Sequence, residues 1–325
     1  MGSKGIKGYG IGLICRGKQY AENMIYEEDV KPSCFNQGMH FVKNPLEVFN
    51  YYKPVESEYT EVEALGDIDN HNDDSKVSTN KIKIGLKIGI EGIIKAGNKF
   101  IFEKTKSSED TVATTGNYSN AATTGEYSNA ATTGNYSNAA TTCNNANAAT
   151  TGVCSNAATN SHYANAVTTG NFANAATTGY RSNAATAGDC SNAVTTWDRA
   201  NAATTGICSN AAATGNYSNA ATTGICSNAA ATGNYSNAAT TGDNSKAEAK
   251  GKNSIAAAIG KNSMAKAAIN NWIVLSEWYQ DNEWNWCVKE AKTAVVDGEK
   301  IKADTWYKLK NGEFVESTEE YGAVY

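Results

Sequence analysis

A nine-residue repeat fills the middle of this chain and constrains its fold more than any other feature. Asn recurs every nine residues from Asn120 to Asn237, and the residue after it is always Ala. The residue before it is usually Ser, with a Gly most often three positions earlier still. The unit reads A-T-T-G-x-x-S-N-A, and seventeen copies run from about residue 113 to residue 267. Self-similarity at a short fixed period indicates a solenoid, because successive copies can stack as equivalent units.

Two nonapeptides make one coil of the predicted solenoid. A closed coil needs two strands and two turns, which is about twice the length of one copy. Residues 204–221 are repeated as residues 222–239, so the chain also carries a period of eighteen. We therefore predict a mainly β fold centred on a parallel β-solenoid with two nonapeptides per coil of about 18 residues. At about 4.8 Å between parallel strands, some eight coils form a rod on the order of 40 Å long.

Composition supports the same architecture. The chain has 325 residues but only six Leu and seven Phe, so Ala dominates its apolar content. That stock cannot build two ordinary cores, whereas the narrow space between two solenoid sheets accepts small side chains. Period-2 alternation predicts that Ala121 and Thr123 point inward and that Asn120 points outward. The opposite register would bury Asn in every repeat, where stacked amides can satisfy one another. Gly116 and its equivalents are expected to supply the positive φ of a sharp corner.

The flanking regions differ from the repeats. Residues 1–110 are richer in aromatic and charged side chains and predict an α+β domain, with a short helix around residues 44–52 and a strand at KFIFEK. The segment KIKIGLKIGIEGIIKAG fits either a strand or a helix. Residues 269–325 predict an antiparallel β cap over the last coil, because a solenoid end leaves an unpaired strand edge. The pairs Asp297-Gly298 and Asn311-Gly312 are typical of hairpin turns.

The variable corner residues separate into two edges when the repeats are split by parity. Tyr and Arg in exposed rows are side chains that carry binding energy at interfaces, so we expect one edge to bind a protein partner. Its members are Tyr127, Tyr163, Arg181, Arg199, Tyr217 and Tyr235. The other edge is apolar, which predicts either self-association into a homo-oligomer or cover by a terminal domain. Its members are Tyr118, Tyr136, Cys154, Phe172, Cys190, Cys208 and Cys226. Alternatively, corner residues only stack on their equivalents above and below.

Charge and motif content argue against several functions. The formal charge of −5 and the pI near 5.4 give no basic surface for direct nucleic-acid binding. No apolar run is long enough to span a membrane and no secretory signal is visible, so we expect a cytoplasmic protein. The eight cysteines show no metal-ligand spacing and are interpreted as reduced thiols. His40 is interpreted as structural, and the acidic residues 56–74 as a solvated loop. We predict no cofactor, no metal site and no catalytic residue.

Two resemblances can be stated from longer stretches of sequence. CRGKQY, GMHFVKNPLEVFNYY and KIKIG before the repeats, with DGEKIKADTWYKLKNGEFVE after them, resemble an uncharacterised family of phage and prophage proteins. This resemblance implies a phage origin and an intracellular product. AAIGKNSMAKA is similar to the head repeats of trimeric autotransporter adhesins, which form parallel β-rolls, and Gly260, Ser263 and Ala265 are the matching positions. This chain differs from those adhesins in having no secretion signal, coiled-coil stalk or membrane anchor.

The functional prediction is a non-enzymatic scaffold. We expect a phage-encoded protein that presents a rigid repeat surface to a host or phage protein. The alternative is an activity in the N-terminal domain, with the solenoid acting only to multimerise it. GMHFVKNPLEVFNYY followed by a Glu-rich strand is also similar to a module of ADP-ribosyltransferase-like folds, which would imply an enzymatic or nucleotide-binding role. No active-site residue is carried over from that resemblance.

Overall fold

An antiparallel sheet, a two-sided solenoid and a pair of terminal hairpins follow one another along the chain. The computed structural model describes residues 3–54, 56–70, 75–104 and 112–317. Its topology confirms the predicted fold class, which is mainly β with a parallel solenoid at the centre. No helix among these residues is long and apolar enough to cross a bilayer.

The N-terminal unit is a seven-stranded antiparallel sheet with two helices. The strands are β1 Lys4–Tyr9, β2 Ile14–Cys15, β3 Lys18–Gln19, β4 Ile25–Glu27, β5 Met39–Val42, β6 Glu58–Ala64, β7 Ile68–Asn70, β8 Lys76–Thr79 and β9 Lys81–Lys87. The sheet order is β4-β9-β6-β1-β5-β8-β7, while β2 and β3 form a separate small hairpin. A 3₁₀ helix covers Pro45–Asn50, where Asn44 caps the first turn by accepting the N–H of Leu46.

Helix α1 spans Ile90–Lys104, and it corrects the predicted strand at KFIFEK. The ambiguous segment before it divides into strand β9 and the first turns of this helix. Buried positions in α1 recur at helical spacing, with Ile93, Ile94 and Ile101 almost fully buried and Lys99 exposed. The alternation seen in KFIFEK therefore arises from a helix whose apolar stripe passes through Ile101.

The solenoid has nine coils, each contributing one strand to each of two parallel sheets. The first sheet, which we call the open sheet, contains β10 Val112–Thr114, β12 Asn129–Thr132, β14 Asn147–Thr150, β16 Asn165–Thr168, β18 Asn183–Thr186, β20 Asn201–Thr204, β22 Asn219–Thr222, β24 Asn237–Thr240 and β26 Ile255–Ala258. The second, the covered sheet, contains β11 Asn120–Thr123, β13 Asn138–Thr141, β15 Asn156–Thr159, β17 Asn174–Thr177, β19 Asn192–Thr195, β21 Asn210–Ala213, β23 Asn228–Ala231, β25 Lys246–Ala249 and β27 Met264–Ala267.

The side-chain register follows the predicted alternation. Ala121, Thr123 and their equivalents from both sheets fill the interior with almost no exposure. The Asn column lies on the outer face, and its amides form ladders in which Asn156 Nδ2 donates to Asn138 Oδ1 at 2.9 Å. The amide ladder therefore runs along the outer face of the coils and not through their interior. Each Asn inside the ladder donates a side-chain hydrogen bond to the Asn of the preceding coil and accepts one from the Asn of the next coil.

The N-terminal unit packs flat against the covered sheet. Helix α1 lies against β11, β13 and β15, and the 3₁₀ helix lies against β17. The outward alanines of this sheet, which would otherwise face water, join one core with Leu46, Phe49 and Ile94. Asn174 Nδ2 also donates to Asn50 Oδ1 at 2.9 Å. As a result, strands of the covered sheet are buried on both faces, whereas open-sheet strands alternate between buried and exposed positions.

The C-terminal cap consists of two antiparallel strand pairs, one of which extends each sheet of the solenoid. β28 Trp272–Gln280 joins the open sheet parallel to β26, and β29 Trp286–Val295 follows it. β30 Tyr307–Lys310 and β31 Glu313–Glu316 extend the covered sheet. Asn311-Gly312 forms the predicted hairpin turn, but Asp297-Gly298 does not. Asp297 Oδ1 instead accepts the N–H groups of Glu299, Lys300 and Ile301, which starts the long connection from one sheet to the other.

Candidate functional site

The corners of the solenoid place their most variable residue in the left-handed backbone region. This residue stands two positions after the corner Gly, as Tyr118 does after Gly116. At every ninth position from Tyr118 to Asn262, its φ lies between 53° and 61°. Its N–H is held by the next coil, as where Cys154 N donates to Asn171 O at 2.9 Å. Left-handed φ is costly for residues other than Gly, Asn and Asp. The stacked hydrogen bonds therefore impose a conformation that Tyr, Phe, Cys or Arg would not adopt alone.

The corner glycines have a different role from the predicted one. Among the repeat glycines that the structure describes, only Gly116 has a positive φ. A Cβ at Gly134 would lie 1.8 Å from the carbonyl oxygen of Gly116 in the preceding coil. Most corners therefore keep Gly because the coils approach one another closely at this point, and the positive φ belongs to the residue two positions later.

The row that we call the Tyr/Arg edge is exposed to solvent, and it consists of Tyr127, Tyr163, Arg181, Arg199, Tyr217 and Tyr235. Tyr127 is 72% exposed, Tyr163, Tyr217 and Tyr235 are about half exposed, and Arg181 and Arg199 also face solvent. The structure thus brings all six predicted residues into one row, at the corner that leads into the open sheet. Two neighbours stack along this row, since the rings of Tyr217 and Tyr235 lie 5.0 Å apart and nearly parallel.

Three further aromatic residues enlarge this edge. The His162 ring lies 5.6 Å from the Trp197 ring and 6.2 Å from the Tyr180 ring, and the Arg181 guanidinium lies 5.4 Å from the Tyr180 ring. Sequence reasoning missed them because it considered only the second residue after each corner. The available signal was Trp197, which stands where most repeats have Gly.

The apolar row, which we call the Cys/Phe edge, lies at the corner that leads into the covered sheet. It consists of Tyr118, Tyr136, Cys154, Phe172, Cys190, Cys208 and Cys226. Its cysteines are half-buried, while Tyr118 and Phe172 remain 58% and 47% exposed. Burial raises the pKa of the Cys190 and Cys226 thiols, which keeps them protonated at neutral pH. Apolar residues that precede the cysteines, such as Ile207, add to the exposed apolar surface. The edge is therefore a largely apolar strip along the corner that leads into the covered sheet.

The N-terminal unit contains a cavity of about 540 Å³ between its sheet and the 3₁₀ helix. Aromatic and aliphatic side chains such as Phe41, Val48 and Tyr52 line much of its wall, together with the polar side chains of Arg16 and His40. A smaller cavity of about 300 Å³ adjoins it, and Cys15, Arg16 and His40 line both. Cavities of this size and lining are typical of small-molecule sites. Sequence reasoning assigned no site here, because the strands that form it are distant in the chain.

Lys7 is the most unusual residue near these cavities. Its side chain is only 2% exposed, yet no carboxylate of the described residues lies within ion-pair distance of its ammonium group. Lys7 Nζ donates to His40 O at 3.1 Å and to Cys15 Sγ at 3.4 Å, and lies over the rings of Tyr9 and Tyr20. Burial lowers the Lys7 pKa, because a desolvated ammonium is disfavoured.

His40 and the acidic stretch occupy defined places in the unit. The His40 ring bonds with Ser33 O at 3.1 Å, and burial lowers its pKa. Within the acidic stretch, Glu58 forms an ion pair with Lys87 at 3.0 Å, while residues 71–74 lie outside the described part of the chain. No group of three His, Cys, Asp or Glu side chains arranged to hold a metal ion occurs among the described residues.

Comparison with known protein families finds a match in the N-terminal part of the chain. Residues 3–96 match a family model described as a domain of unknown function, DUF7666. The match covers the N-terminal sheet and half of α1, and includes neither the solenoid nor the cap. No curated protein and no solved structure matches the chain. The phage origin inferred from the terminal sequences stays a prediction.

Proposed function

We propose that this chain is a non-enzymatic binding protein that presents the Tyr/Arg edge of a rigid solenoid to a protein partner. We further propose that it is phage-encoded and acts in the host cytoplasm on host or phage proteins. The supporting feature is the placement of exposed Tyr and Arg side chains on a rigid row. Tyr loses little side-chain conformational freedom on binding, and both Tyr and Arg dominate the energetics of many interfaces.

The left-handed backbone conformation at these corners is a second observation that supports the proposal. Asn occupies the left-handed position at Asn145, Asn244, Asn253 and Asn262, where it is tolerated at lower cost. Tyr163, Arg181 and Arg199 occupy equivalent positions at a higher conformational cost, while their side chains point into solvent. Strain retained at exposed positions is typical of functional sites.

The decisive experiment replaces the edge with a residue that the fold already uses. Full-length wild type and the triple variant Tyr163→Asn, Arg181→Asn, Arg199→Asn would be used to co-purify proteins from host lysate, identified by mass spectrometry. Trp284→Asn provides a matched control, because Trp284 is an exposed aromatic residue with left-handed φ that lies in the cap, outside both solenoid edges. We expect wild type and control to retain the same partner and the triple variant to retain at least tenfold less. Equal retention by the triple variant would reject the proposal.

The Cys/Phe edge supports a second element of the proposal, a homo-oligomer formed through this strip. Phe172, Ile207 and Ile225 are each about half exposed along this edge, and exposed apolar patches on soluble proteins often contact another surface. Light scattering of Phe172→Asp with Cys208→Asp tests this. We expect a lower molar mass than wild type at the same concentration, and an unchanged mass would exclude self-association through this edge.

The cavity favours the alternative, an activity in the N-terminal unit. A co-purified partner that binds residues 1–110 as well as the whole chain would support that alternative over the edge. A partner that requires the repeats would support the scaffold.

A further inference from the structure

We propose that the paired cavities of the N-terminal unit bind a small organic anion, with its negative group at Lys7 and Arg16 and a flat apolar group in the larger cavity. This site is separate from the solenoid edge and does not depend on the scaffold proposal. The argument rests on charge, on the division between the two cavities and on the burial of Lys7.

The charge of the lining is positive in a protein that is negative overall. The charged residues lining either cavity are Lys7, Arg16, Lys18, Lys76 and Glu28, which is four cations against one carboxylate. Lys18 Nζ lies 2.9 Å from Glu28 Oε1, so this ion pair adds no net charge to the lining and the other charged groups of the lining are all cations. The chain as a whole carries a formal charge of −5. A cationic lining inside an acidic protein favours an anionic ligand.

The two cavities suit two chemically different parts of one ligand. The larger is walled by apolar and aromatic groups such as Phe41, Val48 and Tyr52, which suits a flat apolar group. The smaller contains Lys7 together with polar groups from residues 36–37, which suits a charged one. Arg16 stands at the junction, where its guanidinium can reach a phosphate, sulfonate or carboxylate in a bidentate manner.

Lys7 supplies the strongest reason to expect an anion. A buried ammonium without a counter-ion is unfavourable, and proteins normally pair such a group. Lys7 has three N–H donors but only two hydrogen-bond acceptors, the His40 carbonyl and the Cys15 sulfur, and the sulfur is a weak one. A bound anion would supply the missing counter-charge. Cys15 would lie beside the bound molecule, because its Sγ also lies 3.0 Å from Tyr52 Oη.

Isothermal titration of the full-length chain tests the site, with 1-naphthyl phosphate as the probe. The two parts of the probe are tested apart as 1-naphthol and inorganic phosphate. We expect the intact probe to bind at least tenfold more tightly than either part. Absence of detectable binding at millimolar probe, or equal affinity for 1-naphthol, would overturn the proposal, since the second result would indicate an apolar pocket that does not select anions.

Variants locate the anion within the site. Lys7→Met keeps the length of the side chain and removes its charge, and Arg16→Gln removes the guanidinium. Each should weaken binding of 1-naphthyl phosphate at least tenfold. Lys4→Met is the matched control, because Lys4 lies on the same strand and is exposed. Circular dichroism checks that Lys7→Met folds. Unchanged affinity of a folded Lys7→Met variant would contradict the assignment.

Cysteine labelling gives a readout that does not require any variant. Saturating 1-naphthyl phosphate should slow alkylation of Cys15, measured by peptide mass spectrometry, by at least tenfold. Cys287 in the cap, which is half-buried like Cys15, should be alkylated at the same rate with and without the probe. Equal alkylation of Cys15 in both conditions would show that the probe binds elsewhere.

Discussion

Two hydroxyl columns run along the solenoid, and they differ in whether they find partners. From Ser137 onward, the corner Ser hydroxyls accept an N–H from the preceding coil and donate to a carbonyl, as Ser191 Oγ does with Ala173 N and Gly170 O at 3.0 Å. The inward Thr hydroxyls are buried, and most of them, including Thr177, have no hydrogen-bond partner among the described atoms. The Ser column therefore stabilises the corners, whereas the Thr column contributes its methyl groups to the core at the cost of buried hydroxyls.

The first prediction contrasts these columns. Thr177→Val replaces an unsatisfied buried hydroxyl with a methyl group of the same shape, so we expect the free energy of unfolding to rise by about 1 kcal/mol. Ser191→Ala leaves a buried N–H and a carbonyl unsatisfied, and should lower it by about 1–2 kcal/mol. Denaturant unfolding followed by circular dichroism measures both. A destabilised Thr177→Val variant would show that this hydroxyl is bonded in solution.

Among the elements, α1 and the 3₁₀ helix carry the contact between the N-terminal unit and the solenoid. Gly97 lies where α1 meets the 3₁₀ helix, and a Cβ there would lie 2.5 Å from Leu46 Cγ. Leu46 is fully buried and belongs to the core that includes the outward alanines of the covered sheet. Gly is therefore kept inside a helix, where it is normally unfavourable, because the two helices approach so closely.

The second prediction concerns Gly97→Ala. Helix propensity alone would stabilise α1 by up to about 1 kcal/mol, but overlap with Leu46 should outweigh it and destabilise the protein by about 1–3 kcal/mol. Leu46→Ala opens space at the same point, so the double variant should show less than the sum of the two single losses. Thermal unfolding of the four proteins gives the coupling, and strict additivity would exclude the contact as the cause.

In the cap, one carboxylate connects the two hairpins. Glu277 on β28 accepts a hydrogen bond from Lys289 at 2.9 Å and from the N–H groups of Asn311 and Gly312 in the β30–β31 turn at 3.0 and 2.7 Å. These bonds, that from Lys289 above all, hold the Glu277 pKa below its usual range. The interaction therefore stabilises the cap only while the carboxylate is ionised.

The third prediction is a pH dependence confined to the cap. Because the folded pKa is lowered, the contribution of Glu277 is complete above its unfolded value of about 4.3 and is lost as the pH falls through the folded value. We expect hydrogen-exchange protection of the Gly312 amide to fall as the pH drops through the lowered pKa of Glu277. Glu277→Gln should reduce protection at neutral pH and remove this dependence. Protection that falls equally in both proteins would assign it to another group.

The whole molecule behaves as one packed body because the N-terminal unit and the solenoid share a core. Ala176 on the covered sheet is fully buried beneath the N-terminal unit, whereas Ala203, at the same position of the repeat on the open sheet, is exposed. The two sheets are close to identical in sequence, so their different environments arise from docking alone.

The fourth prediction uses this equivalence. Ala176→Arg places an unpaired charge and a large side chain in the shared core, which should cost about 3 kcal/mol or more and release the N-terminal unit. Ala203→Arg makes the same chemical change on the open sheet and should have little effect. Hydrogen exchange of the 3₁₀ helix and of the part of α1 around Ile93 and Ile94, followed by mass spectrometry, measures the release. Equal exchange of these helices in the two variants would argue against docking through this sheet.

The repeat pattern was sufficient to predict the solenoid, its two nonapeptides per coil, the inward Ala and the outward Asn. These features depend on a periodicity that acts over one or two coils, so local alternation and stacking fix them. The same reasoning failed for KFIFEK and for Asp297-Gly298, where short patterns fit more than one structure. It also gave the corner Gly the wrong role, because the close approach of Gly134 to Gly116 is a contact between coils.

Tertiary structure alone decided which sheet is covered and where the N-terminal cavities form. Nothing in A-T-T-G-x-x-S-N-A distinguishes the face that holds Ala176 from the face that holds Ala203. Lys7 and Cys15 meet His40 and Tyr52 only after β1, β5 and the 3₁₀ helix have packed together. A repeating sequence specifies its own coil because each unit contacts near-copies of itself. Contacts between dissimilar, distant segments leave no period in the sequence, so packing of the complete chain determines them.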